Sequence, residues 1–219
     1  GVAYDYHKAE INILVTDNGK GQLVATAGSV TGTEFNNTYT TKSLPLSDVC
    51  SIAVTKTLYG HDMTKGQFEF SIKADDDASA KKLDVDKNTD TILKNFPAAA
   101  DGDTATLLDS LNITLTQSDI GKTYSYTFAE IKGTAKGYTY DANQYKLTIK
   151  TIDGEDGTLK AEVKLVKNNK ELIFNKTVDK EHSALKENGV TIPFVNYYDG
   201  STDVNDGTKA SVSASKTLN

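Results

Sequence analysis

The chain has 219 residues, 37% of them hydrophobic and 25% charged, with a net charge of −6. That is enough for one large domain or a domain and a half, and its Val, Ile, Thr and Tyr content is that of a β-type globular protein and argues against disorder. All 24 basic side chains are lysines, which with the acidic balance argues against nucleic-acid binding; no apolar run is long enough for membrane insertion. The single Cys50 excludes an intrachain disulfide framework and reads as a small strand or loop filler.

In chain order the first thing met is half of an internal repeat. Residues 1–27 align without a gap on residues 137–163, with Gly1/Gly137, Tyr4/Tyr140, Asp5/Asp141, Ile13/Ile149, Asp17/Asp153 and Gly21/Gly157 among the identities. Phe35-Asn36-Asn37-Thr38-Tyr39 then matches Phe194-Val195-Asn196-Tyr197-Tyr198, and Ser51–Leu58 matches Ser211–Leu218. The offset grows from 136 at Gly1/Gly137 to 160 at Lys56/Lys216 because of an insertion within about 164–193. Residues 1–41 are therefore expected to be the C-terminal half of one repeat, 49–199 a complete repeat, and 209–219 the first strand of a third.

Within the complete repeat, period-two alternation predicts strands over Ile52–Leu58, Gln67–Lys73, Asn112–Thr116, Thr123–Glu130, Tyr145–Thr151 and Leu159–Val166. Asp156-Gly157 marks a hairpin turn before the last of these. Residues 75–95 are acidic and read as a partly helical excursion over a sheet end. The 167–190 insertion reads as polar, with a short helical turn at 180–187. Strands at these intervals predict an all-β, antiparallel sandwich.

Three strands carry a polar residue where their alternation calls for an apolar one. Lys56 shares a face with Ile52, Val54 and Leu58; Glu130 with Tyr124, Tyr126 and Phe128; Asn196 lies between Phe194 and Tyr198. Buried polar groups are costly unless they pair, so the three are expected to meet. A desolvated lysine loses basicity and becomes a nucleophile, while a glutamate in the same setting stays protonated and can donate to the asparagine carbonyl. Attack on the carboxamide would expel ammonia and leave an amide, with Glu130 moving the protons. A buried Lys–Glu ion pair with a hydrogen-bonded asparagine accounts for the same residue types.

The ordered segments Val54-Thr55-Lys56-Thr57-Leu58, Gly121–Glu130, Gly137-Tyr138-Thr139-Tyr140-Asp141 and Phe194–Tyr198 resemble the isopeptide-linkage domains of Gram-positive pilins and surface adhesins, of the streptococcal backbone-pilin type. The resemblance implies an immunoglobulin-like sandwich in which a first-strand lysine bonds a last-strand asparagine with help from a glutamate between them. Those roles fall on Lys56, Asn196 and Glu130. Asn37 and Lys216 are then half-sites of neighbouring repeats, completed by sequence beyond the window or by strand complementation between molecules.

The expected role is a structural repeat of a secreted, cell-wall-attached or extracellular fibre, whose partners are neighbouring repeats or subunits of that fibre. It is not an enzyme in the multiple-turnover sense, and no cofactor is implied. The alternative is an adhesin module recognising a host surface protein or glycan through segments 75–103 and 167–190. Leu44-Pro45-Leu46-Ser47-Asp48 only imitates the start of a sortase signal. The carboxylates of Asp84–Asp90 resemble a calcium loop, but Thr89 replaces the turn glycine and Asn95 the closing glutamate, so a solvated loop is expected. His7, His61 and His182 have no zinc spacing.

Overall fold

The computed structural model describes residues 1–94, 96–108, 111–181 and 188–200. Lys216 with the 209–219 strand, Asn95, and all but the first two residues of the 180–187 segment lie outside the described residues.

The chain opens with β1 (Val2–Ala3), the hairpin β2 (Glu10–Asp17) and β3 (Leu23–Thr31), and β4 (Thr38–Tyr39). Next come β5 (Leu44–Pro45), a 3-10 turn (Leu46–Asp48), β6 (Ile52–Tyr59), β7 (Glu69–Ala74), α1 (Asp77–Leu83), β8 (Thr91–Leu93), β9 (Thr104–Leu108) and β10 (Thr114–Leu115). A second 3-10 turn (Gln117–Asp119) leads to β11 (Thr123–Ile131), β12 (Tyr138–Thr139), β13 (Gln144–Asp153), β14 (Leu159–Lys167), β15 (Glu171–Val178) and β16 (Val190–Tyr198).

A six-stranded sheet, β15-β14-β13-β11-β7-β8, faces a four-stranded sheet, β12-β16-β6-β9. Alternation builds both inner faces. Leu159, Ala161, Val163 and Leu165 of β14 are buried while Lys164 faces solvent, and Tyr145, Leu147, Ile149 and Thr151 do the same on β13. Phe194 of the smaller sheet packs on Phe70 and Tyr145 of the larger, at centroid distances of 4.7 and 5.3 Å. Each such side chain contributes roughly 1.5–3 kcal/mol by leaving water.

The all-β sandwich is the expected one, with one departure in its pairing. The first and last long strands of the sandwich, β6 and β16, run parallel, from Val190↔Ile52 to Tyr197↔Tyr59. The Asn112–Thr116 strand keeps its inward alternation, with Leu111, Ile113 and Leu115 buried, but only Thr114–Leu115 pairs. Its partner there is Pro45, which has no N–H to extend a ladder.

The 75–95 excursion and the 167–190 insertion each contribute an element to the sandwich. Asp76 caps α1 by accepting from the Ser79 amide at 2.7 Å, and Ser79 and Ala80 are buried. The 167–190 insertion contains a strand, β15, which turns back from β14 through Asn168 and Asn169, both at positive φ. Its alternation is blurred because an edge strand leaves Leu172 and Ile173 exposed. In the acidic loop, Asp86 accepts from the Asn88 amide at 2.8 Å and the Thr89 hydroxyl at 3.3 Å.

Candidate functional site: a buried lysine, glutamate and asparagine

The parallel register of β6 and β16 sets Lys56 opposite Phe194 and Asn196 opposite Leu58. All four side chains lie on the core face, and both Lys56 and Asn196 are 0% exposed. Glu130 comes from the other sheet, on β11, where it pairs with Phe70 of β7; its side chain is also fully enclosed. The three polar residues that sequence alternation sent inward thus converge between the sheets.

One carboxylate oxygen serves both partners. Glu130 Oε1 accepts from Lys56 Nζ at 2.9 Å and from Asn196 Nδ2 at 2.8 Å. The amine and the amide nitrogen therefore flank a single proton acceptor. The Phe68 and Phe70 rings stand 4.7 and 5.5 Å from Nζ. Burial pulls the Lys56 amine down to about 8, although the Glu130 carboxylate beside it works the other way. Burial likewise raises the Glu130 carboxyl above its usual range, against the opposing pull of Lys56. Both directions weaken the preference for the ion pair and bring the neutral amine and the protonated acid within easier reach.

The carbonyl is held differently from the sequence expectation. Asn196 Oδ1 accepts from the Asp141 backbone amide at 2.8 Å, not from Glu130. That same amide also donates to Glu130 Oε2 at 3.0 Å. The Asp141 side chain fixes the turn, accepting from the Val195 amide at 2.9 Å through one oxygen and from the Asn143 amide at 2.8 Å through the other. Sequence reasoning gave Asp141 no role. The available signal was its identity with Asp5 in the internal repeat.

The first 40 residues carry the same hydrogen bonds. The Asp5 amide donates to Asn37 Oδ1 at 2.9 Å, the Asn36 amide to Asp5 Oδ2 at 2.9 Å, and the His7 amide to Asp5 Oδ1 at 3.1 Å. At the strand ends, Thr40 N donates to Gly1 O at 3.0 Å, as Asp199 N does to Gly137 O at 2.8 Å. Asn37 is exposed and lies apart from the Lys56, Glu130 and Asn196 cluster.

Two other buried polar groups serve packing. Asp119 accepts from Lys82 Nζ and the Tyr124 hydroxyl, each at 2.5 Å, and closes a capping box with Thr116. These partners outweigh its burial and hold its carboxyl down at about 2, so it is ionised and unreactive toward the amine. The Cys50 thiol donates to Asn188 O at 2.9 Å, and burial pushes it up to about 11.

The FctA family, described as a Spy0128-like isopeptide containing domain, matches residues 1–40 and 52–199. Among solved structures, the chain is similar to the major pilin protein T-13 of Streptococcus pyogenes, at 21% identity and a TM-score of 0.42 over 73% of this chain. A second similar structure, the major pilin protein T3.2 of the same species, aligns at 15% identity and a TM-score of 0.24 over 91% of this chain. The alignments span 54% and 62% of those two pilins. No curated protein sequence matches the chain.

Proposed function

Because the chain belongs to the Spy0128-like isopeptide containing domain family, we propose that residues 49–199 form one load-bearing repeat of a bacterial pilus or surface fibre, closed by a self-made Lys56–Asn196 amide. The observation that carries this reading is the shared Glu130 oxygen between the lysine amine and the asparagine amide nitrogen.

In the proposed reaction the ion pair first passes a proton from Lys56 to Glu130, and burial favours that transfer. The neutral Nζ adds to Asn196 Cγ, and the electron pair of the C=O bond moves onto Oδ1. The Asp141 amide, 2.8 Å from that oxygen, stabilises the charge as it develops. Glu130 donates its proton to Nδ2 and takes one from Nζ, and the Cγ–Nδ2 bond breaks. One C–N bond has formed, one has broken, and ammonia leaves. The reaction runs once per molecule, driven by the fixed approach of the two groups.

The product ties β6 to the neighbouring parallel strand β16, so force on the two ends loads a covalent bond rather than the hydrogen-bonded ladder. The natural partners are further repeats or subunits of the same fibre, outside the cell and attached to its wall. Host contact would fall on the solvent side of 75–103 and 167–190, and no observation favours it over the shaft role. Asn37 belongs to a preceding repeat whose lysine and glutamate would complete it.

Intact mass tests the reading. The wild-type chain is expected to weigh one ammonia less than its sequence, and Glu130→Ala to restore the full mass. A wild-type chain at full mass would overturn it.

A further inference from the structure

Where the first 40 residues meet the sandwich, one side chain plugs into a turn. The Tyr39 hydroxyl donates to Asp153 Oδ1 at 2.5 Å, and the Gly157 amide donates to the same hydroxyl at 3.4 Å. Backbone bonds flank the plug. Lys42 N donates to Gly157 O at 2.9 Å, and Gln117 spans the linker, giving Nε2 to Tyr39 O at 2.7 Å and taking Thr41 N at 3.1 Å. Gly157, at φ +86°, admits no side chain, since a Cβ there would run into Gly1 backbone.

The tyrosine and the turn that receives it each occur twice in the chain. Tyr39 occupies the place of Tyr198: the first pairs with Val2 and the second with Tyr138, in matching two-residue ladders. Asp153 opens its hairpin turn by accepting the Glu155 amide at 2.9 Å, and Asp17 accepts the Gly19 amide at 2.8 Å in the same way. Gly21 has the positive φ of Gly157 but open space where Gly157 meets Gly1.

We infer that the Tyr39 plug in the Asp153–Gly157 turn is a built joint between consecutive repeats, and that the Asp17–Gly21 turn and Tyr198 are the socket and plug for a repeat on either side. The partner is another copy of this fold, recognised by a phenol–carboxylate hydrogen bond and a turn that only glycine can form. This rests on reading the chain as consecutive repeats. A rigid joint matters because a fibre whose repeats swivel transmits force through its linkers.

Two measurements on the full chain test it. Residual dipolar couplings should fit one alignment tensor for the β2–β3 hairpin and the sandwich in the wild type, and two in Tyr39→Phe and Asp153→Ala. Amide exchange at Lys42 should rise about tenfold in either variant, with the Asp141 amide unchanged. Independent tensors in the wild type, or no change in the variants, would overturn the joint. For the outer halves, a short tether gives an effective concentration on the order of millimolar, so mixing at that concentration suffices. Gly19 and Gly21 amides of labelled chain should shift on adding unlabelled wild type and stay put with Tyr198→Ala; equal shifts, or none, would overturn the outer plug and socket. Intact mass is read separately, so loss of the joint and loss of the cross-link are distinguishable.

Discussion

Asn37 and Asn196 sit in the same hydrogen-bonded clamp but in opposite surroundings. Each has its carboxamide oxygen on the backbone amide of an aspartate, Asp5 at 2.9 Å and Asp141 at 2.8 Å. Each aspartate in turn accepts from the amide one residue before the asparagine. Yet Asn196 is enclosed between two sheets with Lys56 and Glu130, whereas Asn37 faces solvent. The clamp is therefore local, formed by a Tyr-Asp turn and a single strand. The proposed reactivity is not local, because Lys56 and Glu130 are desolvated by their enclosure between two sheets. Positioning and activation are separable, and substitutions should part them.

The largest separation should come from the proposed Lys56–Asn196 bond. Asn196→Ala cannot form the amide, and freeing a loop of about 140 residues costs on the order of 5 kcal/mol by analogy with a disulfide. For a chain of this size that lowers the melting midpoint by roughly 10–20 °C. Asn37→Ala, which alters the exposed clamp only, should keep the one-ammonia deficit from its own sequence mass and leave the midpoint unchanged. Calorimetry and mass spectrometry on the two variants check this directly.

A smaller effect is expected at the aspartates. Asp141→Ala releases the Val195 and Asn143 amides and lets the polarising Asp141 amide drift from the carbonyl oxygen. Misplacement of that kind costs about a hundredfold in rate. Freshly translated Asp141→Ala chain should thus lose ammonia far more slowly than wild type while ending at the same one-ammonia deficit from its own sequence mass. Asp141→Asn, which keeps an acceptor, should recover most of the rate; Asp5→Ala should leave it unaltered.

Acidity gives a third test, in a chain that cannot react. Burial holds the unbonded Lys56 amine down at about 8 against an ordinary 10.5, and Asn196→Ala is expected to keep that depression. Between those values the unfolded chain binds a proton that the folded chain lacks, so stability rises with pH across that window. Below about 8 both states are protonated and the full cost of burial is present. The stability difference between Asn196→Ala and Lys56→Met/Asn196→Ala should therefore shrink as pH climbs from 8 toward 10.5. A flat difference would mean that Lys56 is not desolvated.

How much of this the sequence carried depends on which kind of signal each part left. Lys56, Glu130 and Asn196 were legible because each interrupts an apolar alternation, and β-strand geometry turns alternation into a shared face. The sandwich was legible for the same reason, through runs such as Leu159–Leu165. Parallel pairing of β6 with β16 was not, since alternation specifies a face but not a neighbour or a direction. Nor was β15, whose edge position leaves Leu172 and Ile173 in solvent and erases the contrast. The carbonyl contact was missed because it comes from a backbone N–H, which every residue but proline possesses. Only the Asp5/Asp141 identity hinted at it.

The smallest predicted effect lies at the side chain two residues after each clamp's aspartate. His7 stands where the complete site has Asn143: His7 Nδ1 meets Asp5 Oδ1 at 2.6 Å, as Asn143 Nδ2 meets Asp141 Oδ1 at 2.6 Å. The His7 ring also stacks on Phe35 at 4.4 Å and reaches Gly32 O at 2.8 Å. The Asp5 hydrogen bond raises His7 above its ordinary 6.5, followed by the bond to Gly32. Asp5 is held down at about 2, first by the Asn36 amide and then by His7. A raised histidine contributes fully below 6.5 and loses its contribution as pH climbs through the folded value, and a depressed carboxyl loses its own as pH falls from 3.8 toward 2. The exposed clamp should therefore be tightest between those limits, and the Asp5 amide shift should report loosening on the alkaline side. His7→Asn should remove that alkaline limb and leave the acid one, making the exposed clamp titrate like the buried one's scaffold. If the Asp5 amide still titrates near neutrality in His7→Asn, the imidazole is not the group that distinguishes the two.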